Sequence, residues 1–140
     1  MSEPIYPCLW FDGKAKEAAD FYCSVFKNSK IISENPIVVI FELNGRKYMA
    51  LNGRRGFEFN ESVSFVVNCE NQQEIDEYWN KLTAEGKESM CGWLKDKYGV
   101  SWQIVPAILG ELMNDPARAT KVTEAFLKMK KFDIATLLNA

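Results

Sequence analysis

The chemistry open to this chain is limited by one missing residue type: its 140 residues include four cysteines and 19 acidic residues but no histidine. Histidine is the commonest metal ligand and titrates near neutral pH. A Ser-His-Asp triad, a Cys-His pair and any metal site with histidine ligands are therefore excluded. Cys91 is a candidate nucleophile only if Lys95 or a helix N-terminus activates its thiol; an inert core residue is the alternative. Asp12 and Glu42 are candidate general bases, although Asp12 precedes Gly13 and is typical of a turn.

Other side chains favour binding rather than catalysis. Trp10 and Trp93 can line a pocket that stacks a planar or apolar ligand, with core packing as the alternative. Gln103 lies in a predicted strand, and its amide offers both a donor and an acceptor; an amide satisfied by the backbone is the alternative. Neighbours in a strand point to opposite faces, so Trp102 faces the core if Gln103 faces a pocket. Asn52 lies in a polar loop and is either a ligand contact or a turn former.

Composition excludes several other classes of protein. The chain carries 17 basic and 19 acidic residues, for a net charge of −2. These charges are mixed along the sequence, so we expect no nucleic-acid partner. No run approaches the length of a membrane span, and the N-terminus has no basic signal-peptide region, so we expect no membrane association. The four cysteines are widely spaced and form no CxxC motif, which is typical of reduced thiols in a cytoplasmic protein.

Two similar sets of elements account for most of the chain. The first is a strand over 5–11, a helix over 14–26, a short strand over 30–33 and a hairpin of 37–43 and 46–51 about Asn44-Gly45, a dipeptide typical of type I′ turns. The second is a strand over 62–67, a helix over 72–85 ended by Gly86, a short strand at 93–94 and a last strand over 100–105. A short helix over 109–113 follows. Asp115 and Asp133 then cap two further helices, the first of them ending near residue 131.

The two sets are related by an internal repeat. Phe21-Tyr22 in the first predicted helix matches Tyr78-Trp79 in the second, at an offset of 57 positions. The segment 45–51 matches 99–105, at an offset of 54 positions. Two pairs of matching segments with nearly equal offsets indicate a duplicated βαβββ unit.

The chain resembles the PhnB-like group, also described as demethylubiquinone methyltransferase-like, of the glyoxalase/bleomycin-resistance/extradiol dioxygenase (vicinal oxygen chelate) superfamily. The segments that carry the resemblance are 9–13, 21–22, 41–45, 50–53, 59–60, 64–67, 91–106 and 127–131. The resemblance implies an α+β fold of two βαβββ modules forming a cupped mixed sheet, glyoxalase/dihydroxybiphenyl dioxygenase-like, with C-terminal helices. We expect a single domain over 1–140, with module one at about 4–56, module two at about 60–106 and C-terminal helices over 107–140. The connection at 33–37 is shorter than in similar proteins.

Metal-dependent members of the superfamily hold their metal on the first and last strands of each module. By the resemblance, these positions correspond here to Pro7, Met49, Ser64 (within 62–64) and Gln103. Divalent metals at such sites require carboxylate or imidazole ligands, and none of these residues supplies one. We therefore expect no metal and no other cofactor.

These inferences predict a metal-independent small-molecule-binding protein whose ligand is unknown. The alternatives are a glyoxalase-like enzyme without the usual metal and a methyltransferase, as the family description suggests; the glycines form no GxGxxG motif that would support the latter. The resemblance also implies a homodimer. No catalytic residue is assigned, and the ligand-binding candidates are Gln103, Met49, Trp10, Trp93, Ser64, Pro7, Asn52 and Cys91.

Overall fold

The structure is a computed structural model that describes residues 4–140. These residues form two compact units, which divide after Phe57. Each unit contains a four-stranded mixed sheet and an α-helix of 11 or 12 residues. The expected α+β class is thereby confirmed. None of the helices in the described part of the chain is both long and apolar enough to span a bilayer.

The first unit consists of β1 (Cys8–Phe11), α1 (Ala15–Val25), β2 (Lys30–Glu34), β3 (Val38–Leu43) and β4 (Arg46–Asn52). The strands are arranged in the order β1-β4-β3-β2. β1 runs parallel to β4, and the other two pairs are antiparallel. The first strand of the module therefore pairs with its last.

Local sequence explains both α1 and the hairpin of the first unit. The helix buries a stripe at helical spacing that consists of Ala15, Ala18, Ala19, Tyr22 and Val25. Between β3 and β4, Asn44 and Gly45 have φ values of 51° and 79°. Two successive positive φ values define the predicted type I′ turn, and the pairing of Leu43 with Arg46 confirms the two-residue hairpin loop.

The second unit begins with β5 (Ser64–Cys69), α2 (Gln72–Thr83), β6 (Lys87–Glu88), β7 (Trp93–Lys95) and β8 (Ser101–Pro106). Its strand order, β5-β8-β7-β6, repeats that of the first unit, and β5 is again parallel to β8. The predicted duplication is thus present in the topology. The sequence did not predict β6, since two residues show no periodicity.

The end of α2 differs from the prediction. Asn71 caps its start by accepting a hydrogen bond from the Glu74 N–H at 2.9 Å. The helix ends at Thr83, and the positive φ that was expected at Gly86 belongs to Glu85, with φ 61°. Gly86 is required for a different reason: a Cβ there would collide with the carbonyl oxygen of Lys95.

Three C-terminal helices complete the second unit: α3 (Leu109–Met113), α4 (Pro116–Phe126) and α5 (Ile134–Leu138). The predicted caps are confirmed, since the Asp115 side chain accepts from Ala117 N–H and the Asp133 side chain from Thr136 N–H. α4 ends at Phe126, earlier than predicted. The Gln72 amide joins this segment to α2 by donating to Phe132 O at 2.9 Å and accepting from Ile134 N–H at 2.8 Å.

Candidate functional site

The sheet of the second unit has one face in the core and one that carries polar side chains. α2 contacts β5, β7 and β8. Leu94, Trp102 and Ile104 are buried in the core. Because side chains alternate along a strand, the opposite face presents the other positions. We call it the Gln103 face and define it by Ser64, Val66, Trp93, Lys95, Ser101 and Gln103.

Three of the predicted ligand-binding residues lie together on the Gln103 face. The Gln103 Nε2 donates a hydrogen bond to Ser64 Oγ at 2.9 Å. Trp93 is the cross-strand partner of Gln103 in the antiparallel pair of β7 and β8. The side chains of directly opposed residues lie about 5 Å apart at Cβ, which is within contact distance for an indole and an amide. All three side chains are half-buried.

A cavity of about 180 Å³ adjoins this group on the same sheet. Across the strands, Lys87 of β6 is opposite Lys95 of β7, and Lys95 is opposite Ser101 of β8. The cavity is lined by Glu61, Lys87, Glu88, Ser89, Trp93, Leu94, Lys95 and Ser101. It therefore continues from the indole of Trp93 toward two lysine side chains and a hydroxyl.

Two features of this cavity bear on binding. Ser101 is only 1% exposed, and its Oγ has no hydrogen-bond partner among residues 4–140. Lys95 Nζ lies 3.2 Å from Glu61 Oε1, and the hydrogen bond from Lys95 lowers the pKa of the Glu61 carboxyl. The sequence pattern pointed to Lys95 only as an activator of Cys91 and did not point to Ser101. Alternation from Gln103 already places Ser101 on the same face, and this signal was available in the sequence.

Cys91 lies in a turn that contacts the C-terminal segment. Its backbone has φ 59°, and its N–H donates to Met129 O at 2.7 Å. The next residue, Gly92, donates to Lys130 O at 2.8 Å, so this turn holds the C-terminal segment. The Lys95 ammonium is paired with Glu61.

The first unit contains Pro7, Trp10 and Met49. The Met49 N–H donates to Pro7 O at 3.0 Å. The Trp10 indole donates to Arg54 O at 2.9 Å and meets the Phe57 ring edge-on at a centroid distance of 5.1 Å. In the parallel register of β1 and β4, Met49 is opposite Cys8 and Trp10 is opposite Leu51, which puts Trp10 and Met49 on one face of the first sheet.

Asn52 and Asp12 have defined partners within the first unit. The Asn52 Oδ1 accepts from Ala15 N–H at 2.8 Å at the start of α1, and its Nδ2 donates to Pro36 O at 3.0 Å. Arg55 Nε donates to Asp12 Oδ2 at 2.7 Å, and both side chains are exposed. Both ends of the Asn52 amide are thus used to join β4 to α1 and to the loop before β3.

The donor set does not fit the metal that the superfamily fold implies. Among the four corresponding positions, the Pro7 side chain has no donor atom, Met49 supplies only a soft thioether, and Ser64 and Gln103 are bonded to each other. In the part of the chain that the structure describes, no three of histidine, cysteine, aspartate and glutamate are grouped so that they could hold a metal ion.

Two βαβββ modules with the same strand order define the class of protein. Each has a parallel pairing of its first and last strands and a helix that contacts the sheet. This is the architecture of the glyoxalase/bleomycin-resistance (vicinal oxygen chelate) superfamily. More narrowly, the profile of the family described as 3-demethylubiquinone-9 3-methyltransferase matches residues 3–105. The chain belongs to this PhnB-like family, as its resemblance to it predicted.

One solved structure supports this assignment, and more distant ones share the fold. The PhnB protein from Bacillus cereus is 36% identical, with a TM-score of 0.70 over 75% of this chain and 100% of that one. Protein PA1353 from Pseudomonas aeruginosa is 20% identical, with a TM-score of 0.62 over 75% and 98%. The fosfomycin resistance protein FosX from Listeria monocytogenes, complexed with Mn(II) and sulfate, shares the fold at 14% identity and a TM-score of 0.62 over 81% and 97%. No curated protein sequence matches the chain.

Proposed function

We propose that the chain is a metal-independent small-molecule-binding protein whose ligand lies on the Gln103 face. The observation that carries this proposal is the cross-strand pair of Trp93 and Gln103, which places a planar apolar surface beside a fixed amide. Most small-molecule sites combine an apolar or aromatic wall with a few oriented polar groups. The proposed ligand is planar, stacks on the indole of Trp93 and hydrogen-bonds to Gln103.

The hydrogen bond to Ser64 determines which atom of the Gln103 amide is available to a ligand. The Gln103 Nε2 donates to Ser64 Oγ, and none of residues 4–140 donates to its Oε1. An amide oxygen held in this way is an acceptor whose side-chain entropy is already lost before binding. The proposed ligand therefore carries a donor directed at Oε1.

Superfamily membership supports a binding role without fixing the ligand. The FosX structure contains Mn(II), whereas Pro7 and Met49 give this chain no comparable oxygen or nitrogen ligands. We also propose, from superfamily membership, that the protein is a homodimer and, from its widely spaced cysteines, that it is cytoplasmic. Sedimentation velocity at several concentrations tests the dimer.

Thermal unfolding with a ligand panel tests the proposed function. The panel contains a neutral planar aromatic probe (2-naphthamide), S-adenosylmethionine, Zn²⁺ and Mn²⁺. A ligand that binds the folded state raises the melting temperature by mass action. We expect a shift with 2-naphthamide that is lost in Gln103→Ala and retained in the control Gln73→Ala, an exposed glutamine on α2.

Three results would contradict the proposal. A shift with a divalent metal would show that the ligand positions were wrongly assigned and would favour a glyoxalase-like enzyme. Micromolar binding of S-adenosylmethionine would favour a methyltransferase. Binding of 2-naphthamide unchanged by Gln103→Ala would place the ligand elsewhere.

A further inference from the structure

We infer that the ligand carries a carboxylate and that Lys95 and Ser101 bind it in the cavity beside Trp93. This inference rests on the proposed function for the position of the ligand, and it adds the chemical class of the ligand. It comes from three observations around the cavity: the unpartnered buried hydroxyl of Ser101, two lysines opposite each other on neighbouring strands, and the carboxylate of Glu61, which already contacts one of these lysines.

The buried hydroxyl of Ser101 points to a ligand. A buried polar group without a hydrogen bond destabilises the folded protein, and such groups are rare in native structures. Ser101 is 1% exposed, lines the cavity and has no partner for its Oγ among residues 4–140. A ligand oxygen in the cavity would accept a hydrogen bond from this hydroxyl and remove the penalty.

The charges next to Ser101 select an anionic oxygen. Lys95 is the direct cross-strand neighbour of Ser101, and Lys87 is the direct cross-strand neighbour of Lys95. Like charges opposite each other destabilise a sheet, and a bound anion between them relieves that repulsion. Hydrogen bonds from a charged donor to a carboxylate are about twice as strong as neutral ones.

The contact with Glu61 shows that the Lys95 ammonium can bind a carboxylate. Its carboxylate lies 3.2 Å from Lys95 Nζ, and its side chain is 65% exposed. An exposed ion pair of this kind is weak, so a ligand carboxylate can replace Glu61 on Lys95 at little cost. The other acidic residue of the lining, Glu88, is engaged elsewhere, since it accepts from Trp79 Nε1 at 3.0 Å.

The spacing of these groups defines the shape of the ligand. Trp93 and Lys95 occupy alternate positions of β7, and Gln103 and Ser101 occupy the matching positions of β8. Alternate residues of a strand are about 7 Å apart. The face therefore combines an indole and an amide at one level with an ammonium and a hydroxyl at the next. A planar aromatic carboxylate such as 2-naphthoate has the corresponding dimensions and polarity.

Paired probes separate this inference from the proposed function. Calorimetric titration compares 2-naphthoate with its neutral isostere 2-naphthamide, on the wild type and five variants, one of which is Gln103→Ala. Lys95→Met should weaken 2-naphthoate binding at least about tenfold and leave 2-naphthamide unchanged. The matched control Lys81→Met removes an exposed lysine of α2 that pairs with Glu77, and it should change neither affinity.

Ser101→Ala and Glu61→Gln have opposite expected effects. Ser101→Ala should weaken 2-naphthoate binding about fivefold while keeping or raising the melting temperature, since it removes an unsatisfied group. Glu61→Gln should strengthen 2-naphthoate binding, because a competing carboxylate is removed. A merely structural role for these residues would move the melting temperature without separating the two probes.

The outcomes distinguish the two proposals. Equal affinity for both probes with no effect of Lys95→Met would overturn the carboxylate site and leave the proposed function in place. Binding of 2-naphthoate that depends on Lys95 and not on Gln103 would support the carboxylate site and contradict the proposed anchor. Failure of both probes to bind would overturn both.

Discussion

The carboxylate of Asp96 accepts a hydrogen bond from the indole Nε1 of Trp102 at 2.9 Å, and both side chains are buried. The other carboxylate oxygen accepts from the N–H groups of Tyr98, at 2.8 Å, and Val100, at 3.1 Å. One side chain thus closes the turn between β7 and β8. Because Lys95 and Ser101 flank that turn, Asp96 also holds the cavity residues in register.

Asp96→Asn should destabilise the protein by about 2–3 kcal/mol, because an amide nitrogen would either face the Trp102 donor or leave a backbone donor unpaired. Chemical denaturation measures the loss. In the background of Trp102→Phe the same substitution should cost less, since one buried donor has been removed with its acceptor. Asp20→Asn is the control: Asp20 is exposed and pairs with Lys16, so a loss as large as that of Asp96→Asn would contradict the argument.

Gly92 is the glycine whose replacement we expect to be most harmful. It has φ 81°, and a Cβ there would collide with the ring of Phe132 and approach Ile104 O. Gly92→Ala should therefore cost about 3 kcal/mol or more through backbone strain and overpacking. Gly110 is the matched control: it lies in α3 without close neighbours, so Gly110→Ala should leave stability unchanged or raise it by about 0.5–1 kcal/mol. Equal melting temperatures for the two variants would show that the predicted collision is absent.

The Cys69 thiol gives a prediction for alkaline pH. Burial, with a smaller effect of Glu74 and Glu70, raises its pKa from 9.0 to about 12. Because folding raises this pKa, the stability it contributes is complete below about pH 9 and is lost as pH rises toward about 12. The melting temperature of the wild type should fall more steeply between these limits than that of Cys69→Ala. Parallel slopes for the two proteins would contradict the prediction.

Asn52→Ala distinguishes a structural from a ligand-binding role for this residue. Its amide accepts from Ala15 N–H and donates to Pro36 O, so its loss removes a cap from α1 and a tie to the loop before β3. We expect a loss of about 1–2 kcal/mol in unfolding free energy and no change in the affinity for 2-naphthamide. The control is Asn80, which is exposed on α2: Asn80→Ala should leave the unfolding free energy unchanged. Reduced affinity at unchanged stability would instead assign Asn52 to the ligand.

The sequence predicted the elements whose causes are local. Asn44-Gly45 determines its turn through two backbone conformations, and Asp115 and Asp133 cap helices within three residues of themselves. Glu85 shows the limit of this reasoning. We expected the left-handed residue at the end of α2 to be Gly86, but it is Glu85. Position 86 requires a glycine because β7 passes close to it.

The site depends more on contacts between distant residues, and sequence reasoning predicted less of it. Strand alternation was enough to predict that the side chains of Gln103 and Trp102 point to opposite faces of the sheet. The contact with Ser64, 39 positions away, depends on the register of β5 and β8, which no local pattern determines. The roles of Asn52 and Ser101 likewise depend on which distant backbone or side chain lies next to them.

The pairing of the first strand of each module with its last has a consequence for the order of folding. β1 can pair only with β4, and β5 only with β8. Neither sheet is therefore complete until the final strand of its module has been synthesised. Sheets closed by distant pairings form slowly, because loop entropy is lost before the contacts are gained. During synthesis, the first module can close once Asn52 has left the ribosome. The second module remains open until Pro106 emerges, and the C-terminal segment that contacts Cys91 and Gly92 docks last.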